Sequence, residues 1–439
     1  MDRKRVLILG ASGRDYWNFL TYFKDNPYYN VVAFTQTQIP GIEKRKFPKK
    51  LAGRLYKKDI PFYSEEKLPE LIKKFKVDDV VFAYSDVKHE DLMHLASIVL
   101  ANGANFVLLG PNSTMIKSRK KVISICAVRT GSGKSQTSRA IAKILKDNGK
   151  RVASIRHPMP YGDLVKQKVQ RFASAKDFKK NKTTIEEEEE YQPRIDKGFI
   201  IYAGVDYKEI LKRAEKEADF ILWDGGNNDF SFYFSDLNIV VADPHRAGHE
   251  LLYHPGETNF RMADVIVINK IDSAKKEDIE KVKANAKKYN PKAKVILARS
   301  ELVIDKPEMI NGKRCLVVGD GPTLSHGGMK FGAGTLAVKK YNGIIVDPRK
   351  YAKGSIKATY NKYEHLEKEL PAMGYSKKQI KELEETVNKV PCDIIVDGTP
   401  ANLKRIIKVK KPIVEVDYEL GKNAVDELKK ILKNKKLIR

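Results

Sequence analysis

Residues 124–150, SICAVRTGSGKSQTSRAIAKILKDNGK, contain the pattern that decides the fold. An apolar strand-like run is followed by a glycine-containing loop, by Lys134-Ser135 and by a helical pattern, which is the order of a phosphate-binding P-loop. The glycines allow backbone N–H groups to curl around a phosphate at the N-terminus of the helix. We therefore predict a P-loop nucleotide-binding domain.

Each residue type in this loop has a task in phosphate binding. Lys134 can reach the β- and γ-phosphate oxygens, and the Ser135 hydroxyl can ligate Mg²⁺. Arg129 stands five residues before Lys134, where P-loop proteins of the SIMIBI class place an extra lysine. This likeness implies that Arg129 contacts anionic charge, with a plain loop arginine as the alternative. The residues predicted to contact nucleotide are Gly131, Ser132, Gly133, Lys134, Ser135 and Gln136, and Lys134 and Arg129 are also predicted to be catalytic.

Two further loops offer carboxylates for a metal ion. Asp224 ends an apolar strand in FILWDGGNND, where a carboxylate can hold Mg²⁺ through water close to the γ-phosphate. Asp163 ends RHPMPYGD and can complete the metal shell, although a proline-stiffened turn is the alternative. We predict a metal site of Ser135, Asp163 and Asp224, a catalytic role for Asp224 and His157, and substrate contacts from Arg156, Asn227 and Asn228.

The stretch NKID places Asn269, Lys270 and Asp272 directly after the apolar run VIVI. GTPases use an aspartate in this position to accept hydrogen bonds from guanine N1 and N2, and the lysine stem covers the base. We therefore predict that Asn269, Lys270 and Asp272 contact the nucleotide base. The motif alone favours GTP, and ATP remains open.

Three further stretches contain residues that are predicted to contact ligands. In ADPHRAGHELLYHPGETNFR we predict that His245, Arg246 and His249 face substrate phosphate, with a metal cluster that includes His254 as the alternative. The glycines of DGPTLSHGGMKFGAG, residues 320–334, allow backbone approach to an anion, and a mobile loop is the alternative. Near the N-terminus, GASGRD lacks the full dinucleotide fingerprint, so Arg14 is assigned to a site for a small polar ligand.

Short β-branched runs alternate with amphipathic helical patterns along the chain, which predicts an α/β protein with mostly parallel sheets. We predict a Rossmann-like domain (1–118), a P-loop NTPase parallel-sheet domain (119–305) and a further C-terminal α/β lobe (306–439). The acidic run Glu186–Glu190 is interpreted as a solvated loop or the start of a helix. The strands predicted for the middle domain are Val122–Ala127, Val152–Ile155, Phe220–Trp223, Ile239–Ala242, Val265–Ile268 and Val295–Leu297.

The composition restricts the class of protein. Of 439 residues, 42% are hydrophobic and 32% charged, as in globular proteins, and no apolar run has the roughly 18 residues of a spanning helix. No export signal is recognised, which predicts a cytoplasmic location without a membrane partner. The net charge of +27 favours anionic ligands such as nucleotides and phosphorylated metabolites. Because the lysines are spread over predicted helices, as in thermophile proteins, no dedicated nucleic-acid surface is predicted.

Motifs from every unit together resemble one archaeal family. They are GASGRDYWNF, VFAYSDVKHE, AVRTGSGKSQTSR, RHPMPYGDL, ILWDGGNNDF, HPGETNFRMADVIVINKID, DGPTLSHGGMKFGAG and DGTPANLKR. Over essentially its whole length the chain is similar to the cyclic 2,3-diphosphoglycerate synthases, which are elsewhere described as GTPases. The resemblance implies a ligase-type reaction in which 2,3-diphosphoglycerate and ATP give cyclic 2,3-diphosphoglycerate, ADP and phosphate.

The predicted site has the groups that such a reaction needs. Anionic phosphate oxygens attack without a general base, so catalysis reduces to positioning and to charge neutralisation by Lys134, Mg²⁺ and basic side chains. A regulatory or metallochaperone-like GTPase is the alternative function, and a nucleic-acid-binding ATPase is supported only by net charge. The nucleotide, ATP or GTP, stays open, and a homodimer is compatible with this interpretation.

Overall fold

The computed structural model describes residues 3–10, 13–36, 45–156, 162–183, 185–226, 229–325, 328–372, 376–399 and 403–439. Within these ranges helices pack on largely parallel sheets, so the α/β class predicted from the sequence is confirmed. None of the helices described there combines the length and the apolar character that crossing a lipid bilayer requires.

The first sheet is built from the N-terminal part of the chain. Its strands are β1 (Lys4–Leu9), β2 (Tyr29–Gln36), β3 (Lys46–Phe47), β4 (Ile60–Ser64), β5 (Asp79–Phe82) and β7 (Asn105–Leu108), with β6 (Val87–Lys88) between the last two in sequence. The helices are α1 (Arg14–Asn18), α2 (Lys49–Ala52), α3 (Leu68–Phe75), α4 (His89–Ala101) and α5 (Pro111–Thr114). The order is β3-β4-β2-β1-β5-β7, parallel except for β3 against β4, which is a Rossmann-like arrangement.

The second sheet carries the P-loop. Its strands are β8 (Lys121–Ala127), β9 (Val152–Ile155), β10 (Gln170–Phe172), β11 (Ile200–Ala203), β12 (Phe220–Trp223), β13 (Leu237–Ala242), β15 (Val265–Ile268) and β16 (Lys294–Leu297); β14 (Tyr253–His254) pairs with β6 instead. The helices are α6 (Lys134–Asp147), α7 (Ala175–Asn181), α8 (Ile185–Ile195), α9 (Tyr207–Glu217), α10 (Gly256–Met262) and α11 (Lys276–Tyr289). The order is β10-β11-β9-β12-β8-β13-β15-β16, parallel except for β10 against β11. The central strands are buried on both faces, which explains their continuous apolar runs.

The third sheet follows the second directly. Its strands are β17 (Ser300–Ile304), β18 (Arg314–Asp320), β19 (Ile344–Ile345), β20 (Leu370–Ala372), β21 (Ile394–Gly398) and β22 (Ile413–Leu420). The helices are α12 (Gly321–Leu324), α13 (Ala333–Lys340), α14 (Gly354–Lys362), α15 (Lys377–Lys389), α16 (Leu403–Ile406) and α17 (Lys422–Asn434). The order is β17-β22-β21-β18-β19, β20 also lies parallel to β18, and only β17 runs antiparallel to its neighbour.

Single helical turns complete the connections. They are a π turn at Phe19–Phe23 and 3₁₀ turns at Glu65–Lys67, Pro244–Arg246, His249–Leu251, Pro307–Met309 and Arg349–Tyr351.

The second and third sheets share structural elements across the predicted boundary at residue 305, and the domain bounds stay predictions. Strand β17 lies before the predicted boundary at residue 305 yet pairs with the third sheet. Helix α17 lies far after that boundary yet returns to the second sheet, where Leu428 and Leu432 pack in the same core as Ile123 of β8 and Leu145 of α6.

The first sheet is joined to the second by a buried aromatic and ionic contact. Trp17 of α1 stacks on Phe232 with 5.0 Å between ring centroids, inside the core of the second sheet. Next to it, Arg14 Nε donates to Asp229 Oδ1 at 2.6 Å, and the Arg14 guanidinium lies 3.7 Å above the Phe230 ring. The N-terminal unit is therefore docked by side chains that contact the loop after β12.

Candidate functional site

The motif residues collect at the carboxyl edge of the second sheet. The P-loop follows β8, Arg156 follows β9, Asp224 follows β12, Asp243 follows β13 and Asn269 follows β15. Because these strands are parallel, their carboxyl ends lie side by side. The strand ends that carry these motifs therefore lie along one edge of the sheet, and the binding roles assigned to the motif residues stay predictions.

Glycine is required at two positions of the P-loop. Gly131 and Gly133 have φ angles of 79° and 108°, which disfavour any residue with a Cβ atom. A Cβ on Gly133 would also lie 2.0 Å from Asn269 Nδ2, and one on Gly131 would lie 2.9 Å from Thr323 Cγ2. The loop is thus packed between the NKID motif and the start of the third sheet's α12.

Two residues of the NKID motif hold the P-loop backbone. Asn269 Nδ2 donates to the Ser132 carbonyl at 3.0 Å, and Lys270 Nζ donates to the Gly131 carbonyl at 2.7 Å. Asp272 Oδ1 accepts from the backbone N–H of Ser300 at 2.8 Å and so ties the motif to the start of β17. The segment predicted to bind the nucleotide base therefore also holds the P-loop in place through hydrogen bonds.

Asp224 is the centre of a buried cluster of positive charge. Its carboxylate is fully buried and pairs with Arg156 Nη1 at 3.0 Å and with Arg194. Lys134 Nζ lies 3.4 Å from Asp224 Oδ1 and donates to the Gly225 carbonyl at 2.6 Å. Burial raises the pKa of Asp224, but the charges of Arg194, Lys134 and Arg156 outweigh burial and lower the pKa to about 2.

The cluster has unused capacity for an anion. Glu190 also pairs with Arg156, so three basic side chains face two carboxylates. Arg156 Nε and Arg194 Nη2 are buried nitrogens without a hydrogen-bond partner in the described part of the chain. Because an unpaired buried donor costs free energy, this arrangement is suited to an incoming phosphate oxygen.

Arg194 is the residue of this cluster that the sequence interpretation missed. It lies on α8, which contains the acidic run, and that run forms part of a helix rather than a loop. Glu187, Tyr191 and Arg194 are spaced i, i+4 and i+7, and all three side chains are buried on one face. This spacing is the signal from which a buried face could have been predicted.

A second buried carboxylate, Asp243, supports the outer side of the P-loop. Lys270 Nζ lies 3.0 Å from Asp243 Oδ2, and Arg246 Nη2 lies 2.8 Å from the same oxygen. Arg246 also donates to the Thr130 carbonyl at 2.8 Å. Burial raises the pKa of Asp243, but the positive charges of Lys270 and Arg246 outweigh burial and lower it. The carboxylate therefore stays charged and holds both basic side chains in place.

The two histidines predicted to contact substrate, His245 and His249, have different neighbours. His245 Nε2 is 2.9 Å from Ser273 Oγ, and its ring approaches Phe331 of the third unit. His249 Nδ1 is 2.7 Å from Arg129 Nη1, and burial together with Arg129 lowers the pKa of His249 to about 4. Burial also lowers the pKa of His245, so both imidazoles act as neutral hydrogen-bonding groups at neutral pH.

Arg129 points toward the first sheet. Its Nε donates to Asp86 Oδ1 at 2.5 Å, and its guanidinium lies 3.7 Å above the Tyr253 ring. Arg14 likewise contacts Asp229 and the Phe230 carbonyl. Both arginines, predicted to contact anionic or polar ligands, thus join the N-terminal unit to the nucleotide-binding unit.

Of the three predicted metal ligands, Ser135 and Asp224 follow strands of the second sheet, whereas Asp163 lies in a separate turn. Ser135 is exposed at the start of α6, and Asp224 lies beside Lys134. Asp163 is exposed and accepts from the backbone N–H of Val165 at 2.9 Å within its own turn. A hydroxyl and a strand-end carboxylate are the kinds of ligand that fit Mg²⁺ arriving with a nucleotide, because Mg²⁺ commonly takes one or two protein oxygens plus phosphates.

Of the four predicted residues not yet located, Gln136 lies within the described ranges. Gln136 Nε2 lies 3.2 Å from Ser300 Oγ. His157, Asn227 and Asn228 lie outside the described residues. In the described ranges, no group of three or more His, Cys, Asp or Glu side chains is arranged to hold a metal ion.

The pKa of Lys134 yields a prediction for nucleotide binding. Burial lowers the pKa of Lys134 to about 8, so the charge that attracts phosphate is present below this pH and is lost above it. We expect nucleotide affinity to fall by about tenfold per pH unit above pH 8. Titration calorimetry between pH 6.5 and 9.5 measures the nucleotide affinity at each pH. The control is Lys134→Met, whose affinity should be weaker and should not fall above pH 8. A wild-type affinity that stays constant to pH 9.5 would contradict the prediction.

Comparison with known proteins gives results for the whole chain and for the nucleotide-binding part. A model described as the CobW/HypB/UreG nucleotide-binding domain matches residues 217–297. Arginine synthetase ArcE from Thermococcus kodakarensis is 61% identical over 431 residues, which cover 98% of this chain and 96% of the relative.

Solved structures give distant similarities. ATP-bound LpxK from Aquifex aeolicus has a TM-score of 0.45 and 14% identity, covering 73% of this chain and 90% of that one. A ParA family ATPase from Chlorobium tepidum has a TM-score of 0.23 and 14% identity, covering 41% of this chain and 83% of that one.

Proposed function

The chain belongs to the family of arginine synthetase ArcE from Thermococcus kodakarensis, and from this premise we propose that it is an ATP-dependent synthetase that forms arginine. The observation that carries the proposal is the cluster of Lys134, Arg156 and Arg194 around Asp224, beside a P-loop. Such a cluster suits transfer of a γ-phosphoryl group onto an oxygen acceptor.

The chemistry of arginine specifies that acceptor. Arginine differs from citrulline by a nitrogen in place of the ureido oxygen, so this oxygen must be converted into a leaving group. Transfer of the γ-phosphoryl group of ATP to the ureido oxygen forms ADP and a phosphorylated isourea. Ammonia then attacks the central carbon, the C–O bond breaks, and phosphate leaves with the former ureido oxygen. The sum is ATP, citrulline and ammonia giving arginine, ADP and phosphate.

The protein's residues have separate roles in this proposal. Backbone N–H groups of residues 131–135 hold the β-phosphate, and Lys134 neutralises charge between the β- and γ-phosphates. Arg156 and Arg194 release part of their contact with Asp224 and donate to the transferring phosphoryl oxygens. Asn269, Lys270 and Arg246 keep the loop in place. Mg²⁺ held by Ser135, and by Asp224 through water, would neutralise phosphate charge.

The test combines two isotopes. Purified protein with MgATP, citrulline labelled with ¹⁸O at the ureido group, and ¹⁵N-ammonium should give ¹⁵N-arginine and ¹⁸O-phosphate, both measured by mass spectrometry. Formation of arginine without ¹⁸O in phosphate would exclude the phosphorylated intermediate. Parallel reactions with GTP determine which nucleotide is used.

Cyclisation of 2,3-diphosphoglycerate is the second candidate, because its acceptor phosphate would bind the same basic cluster. It is tested by ³¹P NMR with MgATP and 2,3-diphosphoglycerate, where a cyclic pyrophosphate signal is diagnostic. If that signal grows and no ¹⁵N-arginine forms, the second candidate replaces the first. Nucleotide hydrolysis that neither acceptor stimulates would contradict both and favour a regulatory or metallochaperone-like GTPase.

A substitution at Arg194 tests the proposed role of the basic cluster. We expect Arg194→Ala to lower kcat by about a hundredfold, because one preorganised donor to the transferring group is lost. Arg194→Lys should restore little, since a lysine cannot contact Asp224 and a phosphate with a planar fork. Arg213→Ala, at an arginine that is 55% exposed on α9, is the matched control and should retain full activity. Unchanged kcat in Arg194→Ala would remove Arg194 from the mechanism.

The base preference can be tested at Asp272. We propose that the Asp272 carboxylate accepts from guanine when GTP is bound, so Asp272→Asn should weaken GTP by about tenfold or more and ATP by much less. Competitive binding with a fluorescent nucleotide measures both. Equal losses for the two nucleotides would mean that Asp272 acts only through its hydrogen bond to Ser300.

A further inference from the structure

A short basic segment lies at one end of the first sheet. Seven of the fourteen residues 45–58 are lysine or arginine, and none of them is acidic. The segment comprises β3, α2 and the turn that leads into β4. The predicted spread of lysines over helices therefore does not hold here, because six basic side chains of this one segment are exposed: Lys46, Lys49, Lys50, Arg54, Lys57 and Lys58.

The apolar residues of the segment hold its backbone on the sheet. Phe47, Leu51, Ala52 and Tyr56 are buried in the core that also contains Phe19. Because these apolar side chains point into the core, the exposed surface of the segment consists mainly of lysine and arginine side chains. The charges are thus carried by a folded surface rather than by a loose tail.

The start of β2 lies beside this segment. The guanidinium of Arg3 donates to the Leu55 carbonyl at 3.4 Å and also to the Tyr29 carbonyl, so it connects the segment with the first residue of β2. The residue before it, Tyr28, is 68% exposed. An arginine and an accessible aromatic ring therefore border the basic segment.

The end of the first helical region contributes a further lysine. Lys24 lies beside Gly53, where a Cβ atom would be 3.0 Å from Lys24 Cε. A carboxylate oxygen of Asp25 would be 3.4 Å from the same Cβ position. We call this continuous surface the amino-edge patch and define it as Arg3, Lys24, Tyr28 and residues 45–58.

The positive charge of the amino-edge patch is not neutralised within the described part of the chain. None of its six exposed basic side chains forms an ion pair with a carboxylate there. The neighbouring Asp59 instead accepts from the backbone N–H of Lys49 at 2.8 Å. Exposed lysines on other surfaces do pair, as Lys121 does with Asp236 at 2.6 Å. Because like charges held together repel each other, the patch favours a polyanionic partner.

The patch lies away from the nucleotide site. Strands β1, β2 and β4 are parallel, and Arg3, Tyr28 and Lys58 stand before them, at the amino edge of the sheet. Arg14 and Asp86, which contact the second unit, come after β1 and β5, at the carboxyl edge. Nucleotide bound at the P-loop therefore does not account for the charge of the patch.

We propose that the amino-edge patch binds single-stranded nucleic acid. Exposed lysines and arginines bind a phosphate backbone without apolar contacts, and the exposed Tyr28 ring offers a surface on which an unpaired base stacks. A protein partner fits less well, since protein interfaces are depleted in lysine, and five of the seven basic residues in 45–58 are lysine. A membrane also fits less well, since the apolar side chains that would insert into lipid are buried in the core.

Binding of a labelled oligonucleotide tests the proposal. Fluorescence anisotropy is measured with a uridine RNA of about 20 nucleotides, and excess MgADP keeps RNA phosphates out of the P-loop. We expect a Kd below about 100 μM in about 100 mM KCl. The slope of log K against log[KCl] should be about −3.5, which corresponds to about five neutralised phosphates.

Charge reversal locates the contact. A triple variant of the patch combines Lys49→Glu, Lys50→Glu and Lys57→Glu and should weaken RNA binding by at least about thirtyfold. The matched control makes the same change in net charge at three exposed lysines of α17, by Lys422→Glu, Lys429→Glu and Lys433→Glu, and should weaken binding by less than about threefold. Thermal unfolding checks the fold of both variants. If the patch variant unfolds, the pair Lys49→Ala and Lys57→Ala decides, with an expected loss of about tenfold.

The kind of polyanion is tested separately. Tyr28→Ala should weaken RNA binding by about tenfold, because a stacked base is lost. A glutamate peptide of about 20 residues and vesicles containing phosphatidylserine should each bind at least about tenfold more weakly than the RNA. The proposal is overturned if the wild type does not bind RNA, if both charge variants lose affinity equally, or if Tyr28→Ala binds like the wild type. Peptide or vesicles that bind as tightly as RNA overturn it in favour of an acidic protein or a membrane.

Discussion

Replacing Lys134 by alanine is expected to lower turnover by at least about a thousandfold while the protein remains folded. Lys134 is the basic residue of the P-loop whose side chain faces the Asp224 cluster. Its ammonium group donates to the Asp224 and Gly225 carbonyls. Its loss removes the positive charge between the β- and γ-phosphates. The fold should persist because Arg156 and Arg194 still neutralise the Asp224 carboxylate. Steady-state kinetics of ADP formation, with thermal unfolding as the check on folding, measure both expectations.

The control for this experiment lies on the same helix. Lys143 is 73% exposed on α6 and pairs with Asp147, so Lys143→Ala should leave kcat unchanged. Retention of more than a few per cent of activity in Lys134→Ala would mean that the lysine is not needed for phosphoryl transfer.

Replacing Arg14 by alanine is expected to lower the free energy of unfolding by about 3–5 kcal/mol. Arg14 and Asp229 side chains are 5% and 4% exposed, and the pair joins the first sheet to the second. Removing the arginine leaves the Asp229 carboxylate buried without this partner and removes the stacking on Phe230. Chemical denaturation of the wild type and variant measures the difference, together with the slope that reports on cooperativity.

An exposed ion pair provides the comparison for Arg14. Arg151 is 64% exposed and pairs with Asp219 at 2.8 Å, and solvent screening leaves such a pair little effect on the free energy of unfolding. Arg151→Ala should therefore have a small effect. If Arg14→Ala costs no more than Arg151→Ala, the contact between the first two units is not a major source of stability.

The middle of the fold could be predicted because its sequence signals are local. The strands Val152–Ile155, Phe220–Trp223 and Val265–Ile268 have the bounds predicted from their apolar runs. The same runs predicted that Asp224 and Asn269 directly follow apolar strands, and because those strands are parallel in the fold, both residues lie at the carboxyl edge of the sheet. The P-loop followed from residue order alone.

Arg194 and helix α17 could not be predicted in the same way, because their positions depend on contacts between segments distant in sequence. Arg194 meets Asp224 only when α8 packs beside the sheet, and the acidic run hides the buried face of that helix. Arg129 has the spacing of a phosphate-binding residue, but in the fold Asp86 from the first sheet lies beside it. A motif specifies which chemistry is available, whereas the neighbours of each side chain depend on the tertiary structure.

The return of α17 to the second sheet has a consequence for synthesis of the chain. The hydrophobic core behind the P-loop includes Leu428, Leu432 and Ile438, so residues 119–298 leave part of their apolar surface open when they emerge from the ribosome. The third sheet is synthesised after the strands of the second sheet and before α17. It therefore forms while the hydrophobic core of the second sheet is still incomplete. We therefore expect a chain that ends before residue 422 to leave this apolar surface exposed and to aggregate.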